Sequence, residues 1–238
     1  MEEQRVGILD LASVVTMAEL VEYMMQRPPD LPGFGVLSGC AGMGKTTSAI
    51  WAVNQYRAYM VRCRFTATQR GFCEDLAKEL GLTKPERTIH RMVQQIGDHL
   101  ADHYRRPLII DEADHLVRRR IIEIVRDIYE GCAPAGASII LVGEQALPAM
   151  LKQWERIDSR VLRQVQSPVP GVEDARVLAN RICPALQLDD GALTAVLTVT
   201  RKSLRRMVSA FFAMRDAALL NDWREADAGA VEEVLRAA

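Results

Sequence analysis

Short apolar runs alternate with longer amphipathic segments along much of the chain. The runs at 34–38, 59–65, 107–111 and 138–142 are typical of buried strands, because parallel strands covered on both faces carry consecutive apolar side chains. Between two of them, segment 88–104 has apolar residues at helical spacing, namely Ile89, Met92, Val93, Ile96 and Leu100. Strands that alternate with helices indicate a parallel α/β sheet.

The same periodicity predicts further helices before residue 168, at 13–27, 47–53, 72–80, 119–130 and 147–164. Ser13 is a candidate N-cap of the first helix, and Pro28 ends it. Gly81 is a candidate C-terminal cap of the helix 72–80, and residues 66–71 before that helix form a predicted loop.

Pro168, Pro170 and Gly171 mark a boundary. Beyond it no strand pattern is visible, and helices are predicted at 172–183, 190–200, 203–220 and 227–238. The chain is therefore divided into an N-terminal helical extension (1–30), an α/β domain (31–168) and a small all-helical C-terminal domain (169–238).

The most informative motif follows the first predicted strand. It reads Gly39-Cys40-Ala41-Gly42-Met43-Gly44-Lys45-Thr46 and continues through Thr47 into a helix. In such a phosphate-binding P-loop, backbone N–H groups converge on the phosphates and the helix N-terminus adds partial positive charge. Lys45 would reach the outer phosphates and the Thr46 hydroxyl would ligate Mg²⁺. The motif predicts a site for ATP with Mg²⁺, on a parallel sheet sandwiched by helices.

A second motif predicts hydrolysis. The apolar strand 107–111 ends in two acids, Asp111 and Glu112. Since sites in doubly wound sheets form at the carboxyl ends of strands, Asp111 should face Thr46 and hold Mg²⁺ through water. A carboxylate at Glu112 can orient the attacking water, whereas a small-molecule kinase must exclude water. Glu112 therefore favours an ATPase over a kinase.

The letters Asp111-Glu112-Ala113-Asp114 also spell the DEAD box of RNA helicases. A helicase would need a second α/β domain after residue 168 and a Ser-Ala-Thr coupling motif. The segment after residue 168 has helical patterns instead of a second α/β domain. Gly143-Glu144 occupies the place where the Ser-Ala-Thr motif would be. We therefore disfavour this alternative.

Composition narrows the possible partners. The net charge is −1 and the sequence pI about 6.4, so contact with DNA must come from local basic patches. Five cysteines without a C-x-x-C pair fit a reducing cytoplasm. No apolar run approaches the ~18 residues that would span a membrane, so no membrane association is expected.

The order of these motifs resembles that of the AAA+ ATPases over nearly the whole chain. The resemblance implies a polar sensor after the fourth strand, at Glu144 or Gln145. It also implies an arginine finger that reaches a neighbouring subunit's nucleotide, with Arg160 preferred to Arg156. In the helical domain, which would serve as a lid, Arg205 matches the arginine that contacts the nucleotide.

Within that class the chain is similar to the target-selection ATPases of DNA transposition in Mu-like phages and transposons. The similar segments are GCAGMGKTT, LIIDEADHL, SRV and SLRRMV. The resemblance implies a homo-oligomeric ring or helical filament that binds double-stranded DNA without sequence preference and acts with a transposase. The stretch before the first strand is too short for a helix-turn-helix domain, so DNA should meet the ATPase body. Candidate DNA contacts are Arg118, Arg119, Arg120, Lys84 and Arg87.

Two alternatives remain open. A helicase loader or replication initiator of the same class shares these motifs. A signalling NTPase, whose nucleotide state gates a protein partner, would need the P-loop but no contact with DNA.

Overall fold

The computed structural model describes residues 11–133 and 136–237. The elements, in chain order, are α1 (Ala12–Gln26), β1 (Phe34–Ser38), α2 (Lys45–Tyr56), β2 (Tyr59–Arg62), α3 (Gln69–Glu79), α4 (Ile89–Asp102), β3 (Leu108–Asp111), α5 (Asp114–Arg118), α6 (Ile122–Gly131), β4 (Ile139–Gly143), α7 (Leu147–Leu151), α8 (Glu155–Asp158), β5 (Val161–Gln166), α9 (Val172–Ile182), β6 (Gln187–Leu188), α10 (Asp190–Val199), α11 (Leu204–Asn221), β7 (Glu225–Ala226) and α12 (Ala228–Ala237).

Two compact units make up the chain. The sheet unit consists of Thr16–Gly39 and Lys45–Gln166 and holds strands β1 to β5. The helical unit consists of Ser167 onward, Cys40–Gly44 and the residues described up to Val15. Four helices, α9 to α12, account for most of the helical unit.

The sheet unit is built on a five-stranded parallel sheet in the order β2-β3-β4-β1-β5. All five residues of β1 and all five of β4 are buried, as central parallel strands require. Because successive side chains point to opposite faces, Val36 joins the core with α3, α4 and α6, whereas Leu37 joins the core with α1 and α2. The predicted α/β sandwich is confirmed.

Several caps follow from local sequence. Thr68 accepts a hydrogen bond from the Gly71 amide and begins α3, and Thr88 accepts one from the Arg91 amide and begins α4. Gly81, at φ +75°, follows the end of α3 as predicted. In the helical unit Asp189 caps α10 in the same way.

The end of the α/β region differs from its prediction as a helix at 147–164. Two short helices, α7 and α8, are separated at Trp154, whose φ and ψ of −116° and 78° interrupt the helical path. The chain then forms β5, which pairs with β1. The prediction failed because β5 is an edge strand with half-exposed side chains, and such a strand lacks the continuous apolar run of a central one.

Other boundaries were also predicted wrongly. Strand β2 ends at Arg62 rather than at 65, and α3 begins at Gln69 rather than at 72. The predicted helix 119–130 is α6, which begins at Ile122 after the separate short helix α5. Beyond residue 168 two-residue strands β6 and β7 pair, where no strand was expected.

Helix α1 is capped differently from the prediction. It begins at Ala12, whose amide donates to Asp174 Oδ1 at 2.8 Å, so the cap comes from α9. Ser13 lies inside the helix, and its buried hydroxyl has no hydrogen-bond partner among the described residues. The predicted parts 1–10 of the N-terminal extension and Ala238 of the last helix lie outside the described residues. No helix in the ranges described is long and apolar enough to span a membrane.

Candidate nucleotide site

The P-loop lysine lies in the first turn of α2, directly after the loop that leaves β1. Its Nζ donates to the Gly39 carbonyl oxygen at 2.7 Å, so the ammonium is turned back over the loop that would carry phosphate. The Thr46 hydroxyl, one residue further, donates to Asp111 Oδ2 at 3.0 Å. This contact joins the P-loop helix to the end of β3 across a separation of 65 residues.

Asp111, at the end of β3 in the sheet unit, is a buried acid with 2% of its surface exposed. Its Oδ1 accepts from the Glu112 amide at 3.0 Å. Its Oδ2 accepts from Thr46 and also from Arg62, whose Nε and Nη2 lie at 3.1 and 3.0 Å. A buried carboxylate is costly unless it is paired and hydrogen-bonded, and here both oxygens are satisfied.

Arg62 was not predicted to belong to the site. It occupies the last position of β2, and β2 pairs with β3 so that Arg62 lies opposite Asp111 in the register. In the sequence it looks like one of two solvated arginines, with Arg64 two residues on. Only the strand pairing shows that its guanidinium neutralises Asp111.

Glu112 has a left-handed backbone with φ of 56°. A non-glycine residue is strained in this region, and such strain is concentrated at functional sites. The residue follows β3, its amide is tied to Asp111, and its carbonyl accepts from the His115 amide at 3.0 Å. These bonds hold the half-buried Glu112 next to the Asp111 carboxylate.

The middle of the P-loop, Cys40–Gly44, belongs to the helical unit, and we call it the P-loop crest. Gly42 and Gly44 have φ of +83° and +85°, and a Cβ added to them would lie 2.4 Å from Ser203 Oγ and 2.6 Å from Leu204 Cδ1. The glycines therefore permit both the loop path and the close approach of the first turn of α11. The Met43 carbonyl accepts from the Ser167 hydroxyl at 3.2 Å.

Other predicted cofactor-binding residues are open to solvent. Cys40, Ala41 and Thr47 are exposed. Arg205, the candidate lid arginine, is exposed in the first turn of α11, two residues after the Ser203 side chain that meets Gly42.

The sensor position is at the end of β4. Glu144 is exposed, its carboxylate accepts from Arg118 at 2.9 Å, and its amide donates to Asp114 Oδ2 at 2.8 Å. Asp114 is buried, and this bond links the ends of β3 and β4. The sequence analysis gave Asp114 no role beyond its place in the Asp-Glu-Ala-Asp motif. Gln145, the other sensor candidate, is exposed.

The two finger candidates lie at α8. Arg156 is exposed within it, and Arg160 lies between α8 and β5. The Arg160 guanidinium forms an ion pair with Glu130 of α6 and also contacts the Arg156 carbonyl. Its own carbonyl accepts from the Phe34 amide at 3.0 Å, which fixes its backbone against β1.

The candidate DNA contacts are exposed but have different surroundings. Arg118 pairs with Glu144, whereas Arg119 lies over the Phe65 ring, 4.6 Å from its centroid. Arg120 has a left-handed backbone with φ of 58°. Lys84 and Arg87 flank the connection before α4, and their carbonyls accept from Gln95 and Arg70.

Thr46 and Asp111 fit a magnesium ion. Mg²⁺ prefers oxygen ligands and usually takes one or two from protein together with substrate phosphates. The two residues place a hydroxyl and a carboxylate oxygen 3.0 Å apart at the P-loop helix. No cluster of three or more His, Cys, Asp or Glu side chains suited to a metal occurs among the described residues, so a site built by protein ligands alone is not indicated there.

A five-stranded parallel sheet, a P-loop after its inner strand β1 and an acid joined to the P-loop threonine define a P-loop nucleoside triphosphatase domain, which binds nucleotide. The family model described as "AAA domain" matches residues 30–151, just over half of the chain. The chain belongs to this family of AAA-type ATPase domains. No curated protein sequence matches it.

Solved structures share the fold at low identity. The ORC2 protein of Aeropyrum pernix in its ADP form has a TM-score of 0.66 and 12% identity, with 94% of this chain and 67% of that chain covered. The RuvB Holliday junction branch migration motor of Thermotoga maritima has a TM-score of 0.63, 16% identity, and coverages of 94% and 68%. The ORC1 protein of Aeropyrum pernix in complex with DNA has a TM-score of 0.63, 17% identity, and coverages of 94% and 63%. The chain thus spans about two thirds of the length of these proteins.

Proposed function

We propose that this chain hydrolyses ATP to ADP and phosphate. The observation that carries the proposal is the convergence of Thr46 and Arg62 on buried Asp111, with Glu112 held beside it in a strained backbone. Lys45 would neutralise the outer phosphates, and the Glu112 carboxylate would orient water and accept its proton. Mg²⁺, held by Thr46 and Asp111, would supply positive charge to the phosphates.

Hydrolysis would take place in a homo-oligomer. Arg160 would complete the site of a neighbouring subunit, with Arg156 as the second candidate, and Arg205 would contact nucleotide from the helical unit. The ion pair of Arg160 with Glu130 is partly exposed, at 30% and 47% for the two side chains. Such pairs contribute little stability, so a phosphate from a neighbour could replace Glu130.

The assembly would bind double-stranded DNA in the bacterial or phage-infected cytoplasm. In this proposal it selects target DNA for transposition and activates a transposase. The support is the order of the P-loop, the acidic strand, Arg160 and the small helical lid. Phosphate contacts from several subunits would add up despite the net charge of −1, and the candidates are Arg118, Arg119, Arg120, Lys84 and Arg87.

A replication initiator or helicase loader is the second candidate. The fold similarity to the two Aeropyrum pernix ORC proteins, one of them in complex with DNA, favours it. A switch that acts on a protein partner would bind and hydrolyse nucleotide without any response to DNA.

Electron microscopy with ATP, with and without duplex DNA, tests these candidates together with an ATPase assay. Helical filaments that require both ATP and duplex support target selection. Closed rings around single strands support loading, and ATPase activity without any DNA binding supports the switch. Absence of hydrolysis under all these conditions would overturn the proposed enzyme activity.

A further inference from the structure

The segment after β2 exposes an aromatic ring to solvent. Phe65 is 65% exposed, more than any other aromatic side chain of the chain, all of which are described. Single exposed apolar residues are ordinary on protein surfaces. Phe65 differs from an isolated one because charged and aromatic groups are arranged around it.

Two neighbours, one in α5 and one directly after it, contact the ring. The Arg119 guanidinium carbon lies 4.6 Å from its centroid, a cation–π distance. The His115 ring lies 5.7 Å away at an interplanar angle of 81°. The ring is therefore held in place rather than free to fold back onto the surface.

Arginines lie next to Phe65 in the sequence and in the segment that contacts its ring. Arg64, Arg119 and Arg120 form no ion pair within the residues described. Arg118, by contrast, is neutralised by Glu144. We call the set of Arg64, Phe65, Arg119 and Arg120 the Phe65 platform.

The backbone under the platform is fixed to the strands. The Cys63 amide donates to the Asp111 carbonyl at 2.9 Å, and the Ala67 amide donates to the Arg64 carbonyl at 2.9 Å, which closes a turn around Phe65. On the other side, the Arg119 amide donates to the His115 carbonyl at 3.0 Å. An ordered platform loses little conformational freedom when it binds a ligand.

We propose that the Phe65 platform binds an unpaired base of a DNA strand. An exposed ring offers a stacking surface to any base, and the adjacent arginines bind the phosphates on either side. The inference rests on the proposed DNA binding and extends it, because contacts to phosphate alone cannot distinguish paired from unpaired DNA. The assembly would thus prefer locally opened DNA to an intact duplex.

Fluorescence anisotropy with a non-hydrolysable ATP analogue tests the proposal on two DNAs of equal length and charge. One is a labelled duplex, and the other is the same duplex with a central run of unpaired thymines. The protein should bind the opened DNA about 5- to 100-fold more tightly, the effect expected of one stacked base. Phe65→Ala should remove this preference and leave the affinity for the intact duplex unchanged. Phe65→Trp should retain the preference.

Phe212→Ala is the matched control. Phe212 is 43% exposed on α11 with Arg215 over its ring at 4.7 Å, so it is a similar pair in the helical unit. Phe212→Ala should change neither the affinity for the intact duplex nor the affinity for the opened DNA. Nucleotide binding by each variant shows that it is folded. Equal affinity of the unmodified protein for the two DNAs would overturn the proposal that the Phe65 platform binds an unpaired base. The proposed binding of duplex DNA would still stand. Failure to bind either DNA would overturn both proposals.

Discussion

At the scale of single residues, Glu112 combines a strained backbone with a carboxylate at the end of β3. The left-handed conformation costs on the order of 1–3 kcal/mol, and the bonds of its amide and carbonyl maintain it. A glycine would adopt this conformation without strain, but it would lack the carboxylate. Strain at a residue that carries a carboxylate agrees with the proposed role of Glu112 in hydrolysis.

Glu112→Gln should bind ATP normally and hydrolyse it about 10²–10⁴-fold more slowly, because the amide keeps the shape of the side chain but cannot accept the proton. Phosphate release and binding of a fluorescent ATP analogue measure the two effects. Glu74→Gln, in an exposed ion pair with Arg70 on α3, is the control and should keep full activity. Unchanged hydrolysis in the Glu112 variant would remove Glu112 from the proposed mechanism.

The cysteines differ in reactivity for reasons of burial. Burial raises the pKa of Cys63 to about 11 and that of Cys132 to about 12, so these thiols stay protonated at neutral pH. Cys73 and Cys183 are also buried, whereas Cys40 in the P-loop is exposed. Thiolates, rather than thiols, attack alkylating reagents.

In the folded protein we expect a maleimide to modify Cys40 first, and bound ATP should slow this reaction by covering the loop. Mass spectrometry of the labelled peptides measures the order of modification. All five cysteines should react in denaturant, and Cys40→Ser should remove the fast phase. If ATP does not slow the modification of Cys40, nucleotide does not bind over this part of the loop.

At the scale of elements, the pairing of β2 with β3 connects Arg62 to Asp111. Asp111 is buried, whereas the Arg62 side chain is 55% exposed, so solvent screens part of their attraction. Mg²⁺ bound near Asp111 would provide the same counter-charge. We therefore expect Arg62 to stabilise the site chiefly when nucleotide and metal are absent.

Arg62→Gln should lower the free energy of unfolding of the nucleotide-free protein by roughly 1–2 kcal/mol, since it leaves a buried carboxylate without its cation. With Mg²⁺ and ATP the deficit should shrink. Urea unfolding with and without ligand measures both values, and exposed Arg91→Gln on α4 is the control. An equal deficit in both conditions would show that Arg62 and Mg²⁺ do not share this role.

The contact of the P-loop crest with α11 can be tested at Gly42. Gly42→Ala adds two costs, a side chain at φ +83° and a Cβ 2.4 Å from Ser203 Oγ. Gly81→Ala adds only the first, because its φ is +75° and nothing lies within 4 Å of the added Cβ. Unfolding should therefore show a larger loss at Gly42 than the ~1 kcal/mol expected at Gly81. The further change Ser203→Gly should recover the difference, and equal losses at both glycines would contradict the close contact.

At the scale of the whole molecule, the proposed assembly makes hydrolysis a property of neighbouring subunits. ATPase activity per subunit should rise with protein concentration. Arg160→Ala should bind ATP and fail to hydrolyse it, and Lys45→Ala should fail to bind it. A mixture of the two variants should recover activity, because one supplies the arginine and the other the intact pocket. Activity of dilute monomer together with no recovery would refute a role of Arg160 between subunits.

Much of the sheet unit could be predicted from sequence because its order is local. Central strands β1, β3 and β4 are continuous apolar runs, and α4 has apolar residues at helical spacing, so the positions of these elements follow from neighbouring residues. The start of α3 was nevertheless placed three residues too late. Edge strand β5 could not be predicted, since its single neighbour imposes no apolar run. The cap of α1 by Asp174 joins residues 162 positions apart, which no local pattern encodes.

The candidate nucleotide site also combines residues that local sequence patterns predict with contacts between residues that are distant in the sequence. By itself the sequence determined the P-loop, the acids Asp111 and Glu112, and the family fold, because phosphate binding demands particular residues at adjacent positions. Only the tertiary structure decided that Arg62 neutralises Asp111, that Asp114 holds the Glu144 backbone, and that Arg119 rather than Arg118 lies over Phe65. These contacts depend on which strand ends lie side by side. That arrangement is set by the packing of the whole sheet and not by the residues that precede or follow Arg62 in the sequence.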